Sequence, residues 1–286
     1  MTRVVIVTGA GQGLGREHAL AFGRHGVRVV VNDIGAAAEA VAGEIRAAGG
    51  TAVASEGDVS DWAYAQSLVR KAIAEFGRLD ALVNNAGINR DRMLANMSED
   101  EWDTVLRVDL KGHFAPIRHA VGYWRERGKQ GEQVAARIVN TSSGAGLLGS
   151  VGQGNYAAAK AGIAALTVVA AAEFARYGVT VNAIAPSART PMTEAVFAER
   201  MRPPESGFDA MHPGNVSPLV VWLAGAESGD VTGRMFEIEG GAIGVADGWQ
   251  HGPAASKGGR WEVAELGAAV RELLARAPAP APVYGA

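Results

Sequence analysis

The chain has 286 residues, enough for one large α/β domain, and with 48% hydrophobic and 20% charged residues it can bury a sizeable core. Its formal net charge of -3, with no basic face, argues against a nucleic-acid partner. It has no cysteine, which excludes disulfides, thiolate metal sites and a cysteine nucleophile, and its six histidines show no metal-ligand spacing, so no metal is expected.

The first strand-like run, 3–8, leads into Thr8-Gly9-Ala10-Gly11-Gln12-Gly13-Leu14-Gly15 and a helical stretch, 13–25. Gly9 permits a tight turn, Gly13 lets backbone approach a pyrophosphate, and Gly15 lets the helix pack on the strand. The second run, 27–32, closes on Asp33, 20 residues past Gly13, where an acid can take the ribose hydroxyls of an adenosine. A 2′-phosphate would meet like charge there, so NAD is expected, and Arg16 is weighed below Asp33. Further β-branched runs follow at 51–55, 81–84, 137–141 and 179–183, with helical stretches at 36–48, 61–76, 99–126 and 153–177. The first six runs are continuous rather than alternating in polarity, as strands buried on both faces are. The pattern predicts an α/β fold: a doubly wound Rossmann domain whose seventh parallel strand is 235–239, after a helix at 217–224.

Tyr156 and Lys160 are four apart in a helical stretch and so share one face. An ammonium beside a phenol lowers the phenol's pKa and makes it a usable acid or base. Ser143, 13 residues before Tyr156 at a strand end, can bond the same substrate oxygen. The Pro-containing segment 187–212 follows the sixth strand and reads as a substrate lid.

The longest apolar stretch, about 161–172, is short of the ~20 residues of a membrane span, so a soluble, cytoplasmic protein is expected. The stretch around 157–175 is apolar on more than one face, which predicts a homodimer or homotetramer. Residues 1–247 are expected to form the catalytic domain and 248–286 an extension packed on the core or on a neighbouring subunit. Val263, Leu266, Val270, Leu273 and Leu274 predict an amphipathic helix at 263–275, preceded by Trp249 and Trp261. The alternating Ala-Pro run at 277–282 reads as extended chain.

These motifs together resemble the short-chain dehydrogenase/reductase family over residues 3–241. By that resemblance Gly9, Gln12, Gly13 and Leu14 belong to the phosphate loop, Asp58 and Val59 to the adenine pocket, and Asn85, Ala86 and Gly87 to the strand-end motif Asn84-Asn85-Ala86-Gly87. Ser143, Tyr156 and Lys160 match the catalytic residues, and Lys160 also holds the nicotinamide ribose. Ser143, not Ser142, has the family's spacing to the tyrosine. Pro186 and Thr190 flank the nicotinamide carboxamide, although this loop is a residue shorter than in common members. Asp109 stands where many members carry an asparagine that acts largely through its backbone carbonyl. An aspartate can supply that carbonyl, and its charge can draw on Lys160.

Stretches such as Val31-Asn32-Asp33-Ile34-Gly35 and Ala86-Gly87-Ile88-Asn89-Arg90-Asp91-Arg92 resemble the branch that forms the dehydrogenase part of type 2 peroxisomal multifunctional enzymes. The resemblance implies oxidation of a (3R)-hydroxyacyl-CoA or a hydroxysteroid with NAD, in lipid metabolism. A 3-oxoacyl or quinone/ketone reductase is the enzyme alternative. An NAD(H)-binding regulatory protein is the alternative from another class, but it would not need Ser143, Tyr156 and Lys160 together.

Overall fold

The computed structural model describes residues 2–194, 199, 201–246 and 248–285. In chain order it runs β1 (Val4–Val7), α1 (Gly13–Arg24), β2 (Arg28–Asp33), α2 (Ala37–Ala47), β3 (Ala52–Glu56), α3 (Trp62–Phe76), β4 (Ala81–Asn84), α4 (Glu99–Val105), α5 (Gly112–Lys129), β5 (Ala136–Thr141), α6 (Gly144–Leu148), α7 (Gly154–Phe174), β6 (Val179–Ser187), α8 (Pro191–Glu194), α9 (Ser217–Leu223), β7 (Met235–Glu239), β8 (Ala242–Ala246) and α10 (Val263–Arg276). The strand order is β3-β2-β1-β4-β5-β6-β7-β8. Chain direction across the sheet therefore switches between β1 and β4, and the carboxyl ends of these strands flank a crevice.

The continuous apolar strands read from the sequence are explained by their two cores. Val5 and Val7 of β1 point to one face, where Phe22 of α1, Val41 and Ile45 of α2 and Val220 of α9 pack. Val4 and Ile6 point to the other, against Leu68 of α3, Ile117 and Trp124 of α5 and Ala170 of α7. Trp124 is buried without an orphan donor, because its indole N–H donates to the Leu79 carbonyl at 2.7 Å.

Three features depart from the expected layout. Among the described residues the sheet has eight strands, not seven parallel ones: β8 pairs antiparallel with β7, with Glu239 opposite Ala242. The two-residue Gly240-Gly241 connection permits this, Gly240 taking φ +56°. The long helix expected at 99–126 is interrupted by a π turn at Leu106–Lys111, between α4 and α5. Pro116 adds to the irregularity by removing one helical N–H from the first turns of α5. The third is α6, a short helix capped by Ser143 that sequence periodicity did not indicate.

The helix Gly154–Tyr177 is long and apolar enough to cross a membrane. In this fold it packs on β6 and carries the buried Lys160, with 33% of its apolar window buried. Its Val168 and Val169 remain exposed.

Beyond β8 the chain leaves the sheet. α10 forms, with a capping box at Glu262 and Glu265, but it has no buried residue. The following residues return to the body: Val151 N–H donates to the Tyr284 carbonyl at 2.9 Å, and Tyr284 N–H donates to the Gly149 carbonyl at 3.3 Å. The Tyr284 ring lies on Gly144, where any Cβ would come within 2.9 Å of its hydroxyl, and Val283 lies on Gly149.

Candidate active site

A cleft of about 520 Å³ opens at the carboxyl ends of the central strands. Gly9, Gln12, Gly13, Leu14, Asp33, Asp58, Val59, Asn85, Ala86, Gly87, Ser143, Tyr156, Lys160, Pro186 and Thr190 all line it. Asp109 does not line it and sits fully buried behind.

The glycine loop is built as a cradle. Gly9 and Gly13 take φ of +60° and +53°, in the left-handed region that favours glycine. A Cβ at Gly15 would stand 2.1 Å from the Gly9 carbonyl, so the helix could not sit this close to the loop with any side chain there. Gln12 precedes α1 in extended conformation and makes no side-chain cap, which leaves the first-turn N–H groups of α1 to an anion. Thr8 ties the loop to the end of β4: its hydroxyl accepts from Asn85 and Ala86 N–H at 3.0 and 3.2 Å.

Asp33 is held by two backbone donors, Gly11 N–H at 2.8 Å and Ile34 N–H at 2.7 Å. These fix the carboxylate at the end of β2, against the loop. Arg16 is committed elsewhere, to Glu17 at 2.7 Å and Glu44 at 2.6 Å. Asp58 accepts from Ser60 N–H at 2.8 Å and the Ser60 hydroxyl at 2.6 Å, and pairs with Arg107 at 2.8 Å. Burial raises its pKa, but the Ser60 hydrogen bonds and Arg107 outweigh this and hold it below the usual carboxylate range. On the opposite wall, Thr190 approaches the phosphate loop, 3.4 Å from the position of a Cβ on Gly13.

At the other end of the cleft, Ser143 caps α6, its oxygen accepting Ala145 N–H at 3.1 Å, so its hydroxyl proton stays available to an incoming oxygen. The neighbouring Ser142 is spent: it is buried and donates to the Lys160 carbonyl at 2.8 Å. Tyr156 and Lys160 lie on one face of α7, with the ammonium 5.3 Å from the phenol ring centre. Lys160 donates to the Thr141 carbonyl at 3.0 Å and lies 3.2 Å from an Asp109 oxygen. Burial pulls the Lys160 pKa down, but Asp109 and then Tyr156 outweigh it and push it above the ordinary lysine value.

Several cleft residues went unread in the sequence. Arg107 reaches Asp58 from 49 positions away, and no local pattern announces such a pair. Gln153 lines the cleft and donates to Asp91 at 3.1 Å. Met192 and Thr193 belong to the lid expected from the sequence, and they line the cleft. Arg189 N–H donates to the Met211 carbonyl at 2.7 Å and its guanidinium pairs with Asp209, which ties that segment back on itself. Residues 195–198 and 200 of the expected lid lie outside the described residues. Of the two loop arginines, Arg92 pairs with Glu101 at 3.0 Å, whereas Arg90 lines the cleft with its guanidinium on the Asn89 carbonyl. Among the described residues no group of His, Asp and Glu is placed to hold a metal ion.

The family model for short chain dehydrogenase matches residues 3–201. The chain is 46% identical over 282 residues to the hydroxyacyl-CoA dehydrogenase ChsB1 of Mycobacterium tuberculosis, covering 96% of this chain and 89% of that one. It is 42% identical over 280 residues to mouse peroxisomal multifunctional enzyme type 2, covering 94% of this chain but only 34% of that much longer protein. A solved short chain dehydrogenase from Mycobacterium avium superposes with a TM-score of 0.93 at 62% identity, over 99% of this chain and 98% of that one.

Proposed function

The chain belongs to the short-chain dehydrogenase family, and we propose that it is an NAD-dependent dehydrogenase of (3R)-hydroxyacyl-CoA or a similarly placed steroid alcohol. The carrying observation is one cleft with a glycine cradle and Asp33 at one end and Ser143, Tyr156 and Lys160 at the other. The residues fit a dinucleotide. The α1 N–H groups and Gly13 would receive its pyrophosphate, Asp33 the adenosine ribose, and Asp58 and Val59 the adenine. Lys160 would hold the nicotinamide ribose, and Pro186 and Thr190 the carboxamide. When bound, the nicotinamide supplies the hydride acceptor for alcohol oxidation and the donor for ketone reduction.

The chain's own part is proton handling. In oxidation, Ser143 donates a hydrogen bond to the substrate oxygen, and Tyr156, as phenolate, takes the proton of that hydroxyl. The Lys160 ammonium stabilises the phenolate. In reduction the proton travels back from the phenol to the same oxygen.

The preference for NAD rests on Asp33, fixed by two backbone donors, and on the engagement of Arg16 with Glu17 and Glu44. The acyl-CoA reading rests on the relatives and on Arg90, a cation at the cleft for which no ion pair is seen among the described residues. Titration of both cofactors by fluorescence tests the first. NAD is expected to bind at least ~10-fold tighter than NADP, about 1.4 kcal/mol. Turnover with NAD across (3R)- and (3S)-hydroxyacyl-CoAs and 17β-hydroxysteroids tests the second. Equal cofactor affinities sink the Asp33 argument, and a preference for NADPH with 3-oxoacyl substrates selects the reductase reading instead.

A further inference from the structure

Asp109 is an acid in a place that disfavours acids. Its side chain is 0% exposed and that of Lys160 only 3%. A buried charge is costly unless paired and hydrogen-bonded, so the contacts of this carboxylate say what it is for. One oxygen accepts Ile88 N–H at 2.8 Å. The other stands 3.2 Å from the Lys160 ammonium. One oxygen thus holds a backbone donor, and the other, without a hydrogen bond of its own, faces the ammonium as its ionic partner. A neutral amide of the same shape offers one oxygen and one NH₂, so its nitrogen would have to face either the Ile88 N–H or the ammonium. Gly87 lies over the pair, where any Cβ would come within 3.0 Å of Asp109 and 3.2 Å of the ammonium nitrogen, so that the lid on this contact is bare backbone.

We propose that Asp109 is a positioning residue whose side-chain carboxylate, and not only its backbone carbonyl, fixes the Lys160 ammonium beside Tyr156. The proposal rests on the reading of Lys160 as the charge that activates Tyr156. Its surroundings define what else acts there. The Thr141 carbonyl of β5 takes one of the ammonium protons at 3.0 Å. His113, one turn beyond Asp109 on α5, is fully buried, and burial and then Lys160 push its pKa down to about 3, so it is neutral. Tyr156, on the same helix as Lys160, is the other ionisable neighbour. Burial pushes the Asp109 pKa up, and the Lys160 ammonium and then the Ile88 N–H pull against it; among the described residues it is the carboxyl group that faces Lys160. Removing its charge leaves the ammonium with burial as the dominant influence, which favours the neutral amine.

The chain has five lysines, Lys71, Lys111, Lys129, Lys160 and Lys257, few enough to follow singly by NMR with carbon-13 lysine, Lys160→Ala assigning the resonance. In the unaltered protein Lys160 is expected to titrate above the ordinary lysine value of about 10.4. In Asp109→Asn it should titrate at least about one pH unit lower. The alkaline limb of turnover should move down with it, and turnover at neutral pH should fall more than about threefold. An unchanged Lys160 titration in Asp109→Asn overturns the proposal. So does a Lys160 in the unaltered protein that titrates below an ordinary lysine, a reading that survives if the variant fails to fold. The NMR titration needs neither substrate nor cofactor, so a chain that proved inactive on every alcohol would count against the proposed function and leave this measurement standing.

Discussion

In the first strand–loop–helix unit, every residue of β1 is buried on a named partner of the same chain, and Gly15 has no room for a methyl group. From 248 to 285, not one described residue is buried: Trp249 is fully exposed, and α10 turns Val263 and Leu274 to solvent. Both regions carry strong hydrophobic patterns. In the first, pattern and partner lie in one chain, so the pattern predicts the packing as well as the element. In the second, the pattern predicts a helix and says nothing of what covers it. Periodicity reports that a face is apolar, and the partner is a separate fact.

The largest effect that would sharpen this contrast is at the cleft. Tyr156→Phe keeps the ring and removes the exchangeable proton, so kcat should fall ~10²-fold or more with NAD affinity little changed. Steady-state kinetics beside a cofactor titration reads this, and retention of most activity would remove Tyr156 from the chemistry.

A second test concerns the cost of the packed body. His18 is fully buried with its ring nitrogen 2.9 Å from the Ser217 hydroxyl, and burial pushes its pKa down to about 3, as it does, with Lys160, for His113. Above about pH 6.5 both are neutral whether the chain is folded or not, and they impose no pH dependence. As pH falls from about 6.5 toward 3, the unfolded chain takes up protons that the folded chain refuses. Stability should then drop by up to ~1.4 kcal/mol per pH unit for each histidine. Urea unfolding between about pH 7 and 5 measures the slope, and a flat profile would mean that neither histidine is as isolated as its burial indicates.

The smallest expected effect is at the arm. Deleting residues 248–286 should leave NAD affinity within about twofold, because among the described residues the glycine cradle has no hydrogen bond to the arm. KM for substrate should rise, because Tyr284 and Val283 no longer back the loop from Gly144 to Gly149 that follows Ser143. Light scattering is expected to find the same assembly for the full and the truncated chain, since the exposed Val168 and Val169 of α7 lie outside the arm. A truncated chain that assembles less than the full one would give the arm a part in assembly and dissolve the contrast between the two regions.

The sequence was legible where chemistry and geometry are local. Tyr156 and Lys160 share a helix face because of their spacing, and Thr8-Gly9 through Gly15 turns because its glycines are placed where φ must be positive or a neighbour must come close. Interactions between distant positions were less legible. Asp109 was placed near Lys160 only by family resemblance, and it lies within a π turn that no sequence pattern announces. Arg107 on Asp58 and Tyr284 on Gly144 join residues that no window contains. The eighth strand was missed because Ala242-Ile243-Gly244-Val245-Ala246 is exposed along most of its length and follows β7 after only two glycines.

The π turn at Leu106–Lys111 sets the phase of everything after it. An α-helix advances about 100° per residue, so one residue of slack decides which side chains of α5 meet the sheet. Ile117, Ala120 and Trp124 are buried there, and Asp109 and His113 are buried ahead of them. Shortening the segment by one residue would force a choice: either the Asp109 side would stay in register or the Trp124 side would, but not both. Apart from Arg107 and Asp109, whose partners Asp58 and Lys160 lie outside the turn, the stretch from 106 to 111 should therefore accept changes of residue more readily than any change of length.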